Sequence, residues 1–356
     1  VLNGNLNTIF SGTNYSQINN GSGNTINSGY FNTITNGIDH VIYNTRRSFI
    51  NNGLNNTIQT SAYSSISNGQ RNRIFHSTGS TILNGQGNSA QTNDFIFIGD
   101  GINNISEGEH SSILNGISNT AKTIHDTIIN GKQNYNTGNY SFIGNGLNNY
   151  NNSKFGIILN GTNHYNRYSS FYSTILNGSN NGIRAYSTGS TILNGKSNII
   201  SYSARYSVIG TGLNLNITGN YAIILNGVRN SVSTAKFGTI VNGIDNKSYG
   251  YYASTLNGVK QLNFGVFGVI LNGSGNTGST NTKYSIIGNG VNNIITFNTK
   301  FGNIFNGTNN YTISDYSIVG SGKYNVIRSA SSKFSNILNG SANTIPFLSN
   351  FSTISN

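Results

Sequence analysis

The side chains best suited to chemistry in this chain are eight carboxylates and five histidines. Five of the carboxylates, Asp94, Asp100, Glu107, Glu109 and Asp126, fall within one short stretch; Asp39, Asp245 and Asp315 are isolated. A pair of carboxylates in that stretch would suit glycoside hydrolysis, one as the proton donor and the other as base or nucleophile. The plainer reading, preferred here, is solvated loop charge on successive turns of a repeat. Among His40, His76, His110, His125 and His164, the pair His110 and His125 sits 15 residues apart. A metal pair is the sharper interpretation, and replacement of two rings in a stacked aromatic ladder the preferred one. The chain has no Cys, which excludes disulfides, thiolate zinc sites and a cysteine nucleophile. No Asp-rich calcium repeat is present. The expectation is a protein without enzymatic activity, cofactor or metal.

These groups are carried on an unusual scaffold. Of 356 residues, 67 are Asn, 45 are Gly and one is Pro, none is Met or Trp, and 8% are charged with a net charge of +12. An ordinary domain has about 25% charged residues. Asn and Gly are poor helix formers and fill a third of the chain, which argues against a helical protein. Low charge with 35% hydrophobic residues argues against a disordered polyelectrolyte. No apolar run approaches the roughly 18 residues of a membrane-spanning helix, and no signal-peptide pattern is present.

One repeat organises the whole chain. Twenty-two glycines, from Gly4 to Gly340, recur 15 to 18 residues apart, 336 residues over 21 intervals. Positions are counted from this anchor. Ile occupies −3 in 19 of 22 units: Ile18, Ile34, Ile50, Ile66, Ile82, Ile98, Ile113, Ile128, Ile143, Ile158, Ile175, Ile192, Ile209, Ile224, Ile240, Ile270, Ile287, Ile304 and Ile337. Asn stands at −1 in 19 units and at +3 in 18; Ser, Gly or Ala at −5 in 18 of 21; Tyr or Phe at −6 in 16 of 21. The consensus is Tyr/Phe-Ser-x-Ile-x-Asn-Gly-x-x-Asn-x-Ile. The run from −6 to −2 alternates and predicts a strand. Asn-Gly, which tolerates positive φ, ends it in a tight turn. A second short strand follows, with Ile or Val at +5 in many units.

Sixteen residues with two strands cannot bury their own apolar face, and stacked copies can. The fold class is therefore all-β, a parallel β-solenoid or β-roll of about 22 rungs over residues 1–356, with the −3 isoleucines as a core ladder. At about 4.8 Å per rung it would form a rod of roughly 105 Å. The +3 Asn is expected to form an amide ladder, each side chain bonding to the ones above and below. Asn-Gly hairpins are rejected, because one Asn-Gly per 16 residues suits coils.

The other face of the main strand is also informative. From Leu83 onward, −2 is Leu, Ile, Val or Phe in 12 rungs, including Leu83, Leu114, Leu159, Leu176, Leu193, Leu225, Leu256, Leu271 and Leu338. It is Gly in the other five, Gly99, Gly144, Gly210, Gly288 and Gly320, where −4 is Phe97, Phe142, Val208, Ile286 or Ile318. Volume lost at −2 returns at −4, as at a packed surface, and strands apolar on both faces are buried on both. These leucines are expected to line an oligomer interface, most simply of a parallel homotrimer; coverage by the chain's own loops is the alternative.

Units such as GSTILNG at 79–85 and 189–195, YSTILNG at 172–178 and YSIIGNG at 284–290 resemble the YadA-like head repeats of trimeric autotransporter adhesins and related phage and virus fibre repeats. The resemblance spans essentially all of 1–356, with Asn at −1 where that family commonly has Gly. It implies a left-handed parallel β-roll, three chains side by side, and a role in attachment or structure rather than chemistry.

Both ends cut through a unit, so residues 1–356 are expected to be a window on a longer chain or continuing fibre. Residues 127–356 hold 15 of the 20 Lys and Arg with only Asp245 and Asp315 as acids, whereas residues 1–126 net −1. A basic section could attract acidic glycans, lipopolysaccharide or nucleic acid. The preferred reading is charge that keeps a rod soluble and blunts strand association, since the cations look spread at about one per rung. Sequons such as Asn14, Asn139, Asn160, Asn177 and Asn306 follow from composition. The expected function is a non-enzymatic fibre, appendage or adhesin-type shaft, extracellular, on a virion or cell surface. A receptor- or glycan-binding adhesin head is the alternative; a tailspike-like depolymerase and an ice binder rank lower. Partners are further copies of the chain and, beyond those, acidic glycans or a host receptor.

Overall fold

In a computed structural model, residues 1–234, 236–328 and 333–355 are described. They form two compact units, Val1–Asn177 and Gly178–Asn356. Each unit is a parallel β-solenoid, and no helix occurs among the described residues.

Each coil contributes to two parallel ladders. The first pairs positions −4 and −3, running from Gln17–Ile18 to Thr174–Ile175 in the first unit and from Thr191–Ile192 to Thr353–Ile354 in the second. Its register is one repeat per step, as in Ile82 to Ile98 and Ile98 to Ile113. The second ladder pairs +4 and +5, as in Arg73–Phe75 on Thr57–Gln59 and Ile199–Ile200 on Asn216–Ile217. Side chains at −3 and +5 point into the coil. All nineteen −3 isoleucines are at most 1% exposed.

The strands are shorter than the −6 to −2 alternation predicts. The −6 residue is left-handed, with φ of 58° at Phe95, 59° at Tyr140 and 56° at Tyr252, and so is +2, as at Asn103 (54°), Gln133 (56°) and Lys260 (54°). Such a residue costs about 1–2 kcal/mol outside Gly; here the neighbouring coils hold it, and it ends the extended run. At the Asn-Gly turn only the Gly has positive φ. Gly69, at φ +102°, passes so close to the next coil that a Cβ would lie 2.2 Å from the Gly85 carbonyl oxygen. The preceding Asn keeps an ordinary backbone, and at Asn3, Asn115 and Asn306 its side chain accepts the anchor N–H, at 2.7 Å for Asn115 with Gly116.

The +3 asparagines also differ from the expected amide ladder. Asn56 Nδ2 donates to the carbonyls of Asn52 (3.2 Å) and Gly69 (2.9 Å), and its Oδ1 accepts the N–H of Asn72 at 2.9 Å. Each side chain serves backbone groups of its own and the next coil, not a second amide. The Gly69 carbonyl also accepts the Leu54 N–H at 3.0 Å; the Asn adds a second bond there and takes up the N–H of the next coil's Asn72, so the buried corner is fully paired.

In the first unit the second inward residue changes together with coil length, whereas in the second unit the 15-residue rung opening at Gly212 buries Ile217 there. In the six rungs that open at Gly4, Gly21, Gly37, Gly53, Gly69 and Gly85, which span 16 or 17 residues, +5 is Ile9, Ile26, Ile42, Ile58, Ile74 and Ala90. In the four 15-residue rungs that open at Gly101, Gly116, Gly131 and Gly146 it is Ser106, Ala121, Asn136 and Asn151. Asn151 Nδ2 donates to the carbonyls of Phe142 (3.3 Å) and Gly156 (2.9 Å) across the shortened lumen. Asn136 does the same with Thr127 and Ser141, and in the second unit Asn263 with Ser254 and Gly268.

Candidate functional site

The five clustered acids do not converge. Asp94 and Glu109 share position −7 on successive coils; Asp94 accepts the N–H of Thr78 at 2.7 Å and Glu109 lies 3.7 Å from His110. Asp100 replaces the turn Asn and accepts the Gly101 N–H at 2.6 Å. Glu107, on the second strand's outer side, accepts from Gln91 at 3.0 Å and lies 4.0 Å from Lys122. Asp126 corrects the expectation of solvated loop charge: it occupies the small inward −5 position and is fully buried. It accepts hydrogen bonds from Thr123 N–H (2.8 Å) and hydroxyl (2.7 Å) and from the Ser141 hydroxyl (2.9 Å). Burial pushes its pKa up to about 6, against those hydrogen bonds. Sealed inside the coil, it cannot meet a polymeric substrate.

The histidines are structural in their surroundings. His110 and His125 stack at 4.9 Å and 5° from parallel, between Phe95 and Tyr140. His40 takes an Asn position at +3, and its Nδ1 accepts the Asn56 N–H at 3.1 Å. Burial lowers its pKa to about 4, against the Asn36 backbone and the Asp39 charge. Among the described residues no group of three or more His, Cys, Asp or Glu could hold a metal ion.

What each unit offers to a partner is surface. Of the nine leucines expected at an interface, Leu83, Leu114, Leu159, Leu193, Leu225, Leu256, Leu271 and Leu338 are 39–49% exposed, and Leu176 is half-buried. They stand one or more rungs apart on the outer face of the main ladder. The Gly rungs interrupt this stripe for a reason beyond volume. A Cβ at Gly144 would lie 2.5 Å from the Leu159 carbonyl oxygen and 3.3 Å from Cε1 of Phe142. The next coil and the −4 ring therefore both close on the vacant position. A shallow apolar groove runs beside the Asn-Gly corner, lined by +1 residues: Ile102, Ile117 and Leu147 in the first unit and Leu213, Val228 and Ile244 in the second.

A third surface is the −6 corner. Its rings stack continuously from Phe95 to Tyr172 in the first unit and from Tyr206 to Phe351 in the second. Arg47 substitutes for a ring, its guanidinium 5.7 Å from the Phe31 centroid and 5.6 Å from that of Tyr63. The cations are less evenly spread than their density along the chain suggests. In the second unit, Arg205, Lys236, Lys283, Lys300 and Lys333 all fall at −7, beside this ring column. Tallying charge by repeat position instead of by rung would have found them. No known family model and no curated protein matches the chain significantly.

Proposed function

We propose that this chain is a non-enzymatic structural fibre or adhesin-type shaft. In this reading it is a left-handed roll assembled as a parallel homotrimer, of the kind its repeats resemble, and it works extracellularly on a virion or cell surface. The observation that carries the reading is the exposed leucine stripe. Side chains this apolar, repeated on successive coils, form a patch larger than monomeric proteins usually leave in water. No described segment of the chain covers it, which argues against the loop-covered alternative. Burying the exposed remainder of each Leu contributes about 1 kcal/mol, so a face repeating it over many rungs favours association strongly. The absence of convergence among the acids supports a role in assembly and attachment over polysaccharide cleavage.

Sedimentation velocity tests this directly. The expected species has three times the 38.1 kDa chain mass. Replacing Leu193 and Leu225 by Asp should shift it toward monomer while the β-sheet circular dichroism is retained. A wild-type chain that sediments as a monomer at micromolar concentration would overturn the proposal.

A further inference from the structure

The second unit concentrates positive charge at one corner. Of the twelve Lys and Arg in residues 178–356, five stand at −7 (Arg205, Lys236, Lys283, Lys300 and Lys333), and no other repeat position takes more than two. Lys283 bridges in parallel register to Val266 on one side and Lys300 on the other, so −7 forms a ladder of its own. All five cations are exposed. Eight rung steps separate Arg205 from Lys333, about 38 Å at the spacing of parallel strands.

Little negative charge opposes them. Asp245 holds Arg229 in a two-pronged pair at 2.6 and 2.8 Å, and the unit's other acid, Asp315, stands in the row itself at −7, where it accepts the Lys300 backbone N–H at 2.7 Å and sets one negative charge against the five cations. Among the described residues, none of the five cations takes part in an ion pair. In the first unit −7 carries Arg46 and Lys154, each over a ring of the column, and also Asp94 and Glu109, so its two cations are matched by two acids and the net positive corner belongs to the second unit.

The neighbouring rings narrow the choice of ligand. From Tyr206 to Phe351 they stack 4.7–5.3 Å apart and within 18° of parallel. Their faces are occupied by one another, leaving ring edges and the hydroxyls of Tyr206, Tyr221, Tyr252, Tyr284 and Tyr316 along the corner. Single-stranded nucleic acid binds mainly by stacking successive bases on open ring faces; within the column those faces are taken, and at −7 itself only Tyr251, half exposed, offers one. A linear row of cations beside hydroxyls and ring edges instead suits a polymer with repeated anionic groups and many hydroxyls.

We propose that this corner of the second unit binds an extended acidic polysaccharide, its carboxylate or sulfate groups on the −7 cations and its hydroxyls against the tyrosines. The proposal deepens the attachment role above and rests on it. The test uses the full chain and heparin as the probe, with neutral dextran and single-stranded oligothymidine as comparators. Wild type should bind heparin in a salt-sensitive way and leave dextran unbound. The triple substitution Lys236→Glu, Lys283→Glu, Lys300→Glu should weaken binding about tenfold or more. The charge-matched Lys196→Glu, Lys247→Glu, Lys260→Glu, at other repeat positions, should weaken it less than about threefold. No heparin binding by wild type, equal losses in the two variants, or oligothymidine bound as tightly as heparin would each overturn it. Circular dichroism of both variants guards against misfolding. Sedimentation of the same samples reports on the trimer separately, so a wild-type chain that is trimeric yet does not bind heparin sinks this proposal alone.

Discussion

Two stretches of the first unit fill the same coil in opposite ways. Between Ile18 and Ile98 nearly every turn is packed by two apolar side chains, one from each ladder, and the isoleucines form one continuous cluster. From Ser106 to Asn151 the −3 isoleucine stays, but the second inward residue becomes Ser, Ala or Asn. Here the change coincides with a coil one residue shorter, but length alone does not decide it: in the second unit a 15-residue rung buries Ile217 at the same position. The inward Asn adds a second hydrogen bond to carbonyls that already accept a ladder N–H, as Gly156 does from Phe142 at 2.9 Å and Ser141 from Thr127 at 3.0 Å. The amide thereby satisfies its own buried polar atoms. The 17-residue rung with Asn166 inside does the same; there Asn166 Nδ2 donates to the Ser173 carbonyl at 3.2 Å and its Oδ1 accepts the Ser173 hydroxyl at 2.6 Å. A polar lumen can thus be as well satisfied as an apolar one, provided each polar atom has a partner.

The largest effects should come from exchanging the two solutions. Ile58→Asn places an amide among isoleucines with nothing to bond, and should destabilise the first unit by about 3–5 kcal/mol. Asn151→Ile removes the amide's hydrogen bonds to the Phe142 and Gly156 carbonyls and adds a branch against neighbours packed around Asn, at about 1–3 kcal/mol. Hydrogen exchange at the flanking rungs measures both. If either exchange is tolerated within about 1 kcal/mol, the inward residue is not fitted to its own rung.

Each stretch also buries one titratable group, and the two act in opposite directions. The folded pKa of Asp126 is raised to about 6, so the folded chain takes up this proton more readily than the unfolded one. Its penalty is full above pH 6 and fades as the pH falls toward 4. The folded pKa of His40 is lowered to about 4, so the folded chain resists that proton, and stability is lost as the pH falls from about 6.5 to 4. Asp126→Asn should therefore leave a chain that weakens on acidification, and His40→Asn one that strengthens, each by on the order of 3 kcal/mol. Thermal melts at pH 7 and pH 4 read the sign. Parallel profiles for the two variants would show that neither group is as sealed as its surroundings indicate.

The smallest effect is expected at the −6 corner, which both stretches share. Arg47 lies between Phe31 and Tyr63 as a ring would. Arg47→Tyr exchanges two cation–π contacts for two ring stacks and should change stability by no more than about 0.5–1 kcal/mol. A larger loss would mean that the guanidinium has a role beyond filling the column.

Much of this protein was legible in the one-dimensional pattern. A strict period with Ile at −3, a small residue at −5, and Asn-Gly closing the strand requires stacked parallel coils, because no single rung can bury its own isoleucine. The inward ladder and the ring column follow directly, and so does the stacking of His110 on His125. The rest depended on what lies across the coil rather than along the chain. That Asp126 is inside and Asp94 outside depends on the direction of a Cβ at a corner whose left-handed residue breaks the alternation. That the +3 asparagines serve backbone groups, not each other, depends on where the next coil's carbonyls fall. Periodicity determines which residues repeat; the separation between neighbouring coils determines which atoms they reach, and that distance is set only when the coils are stacked.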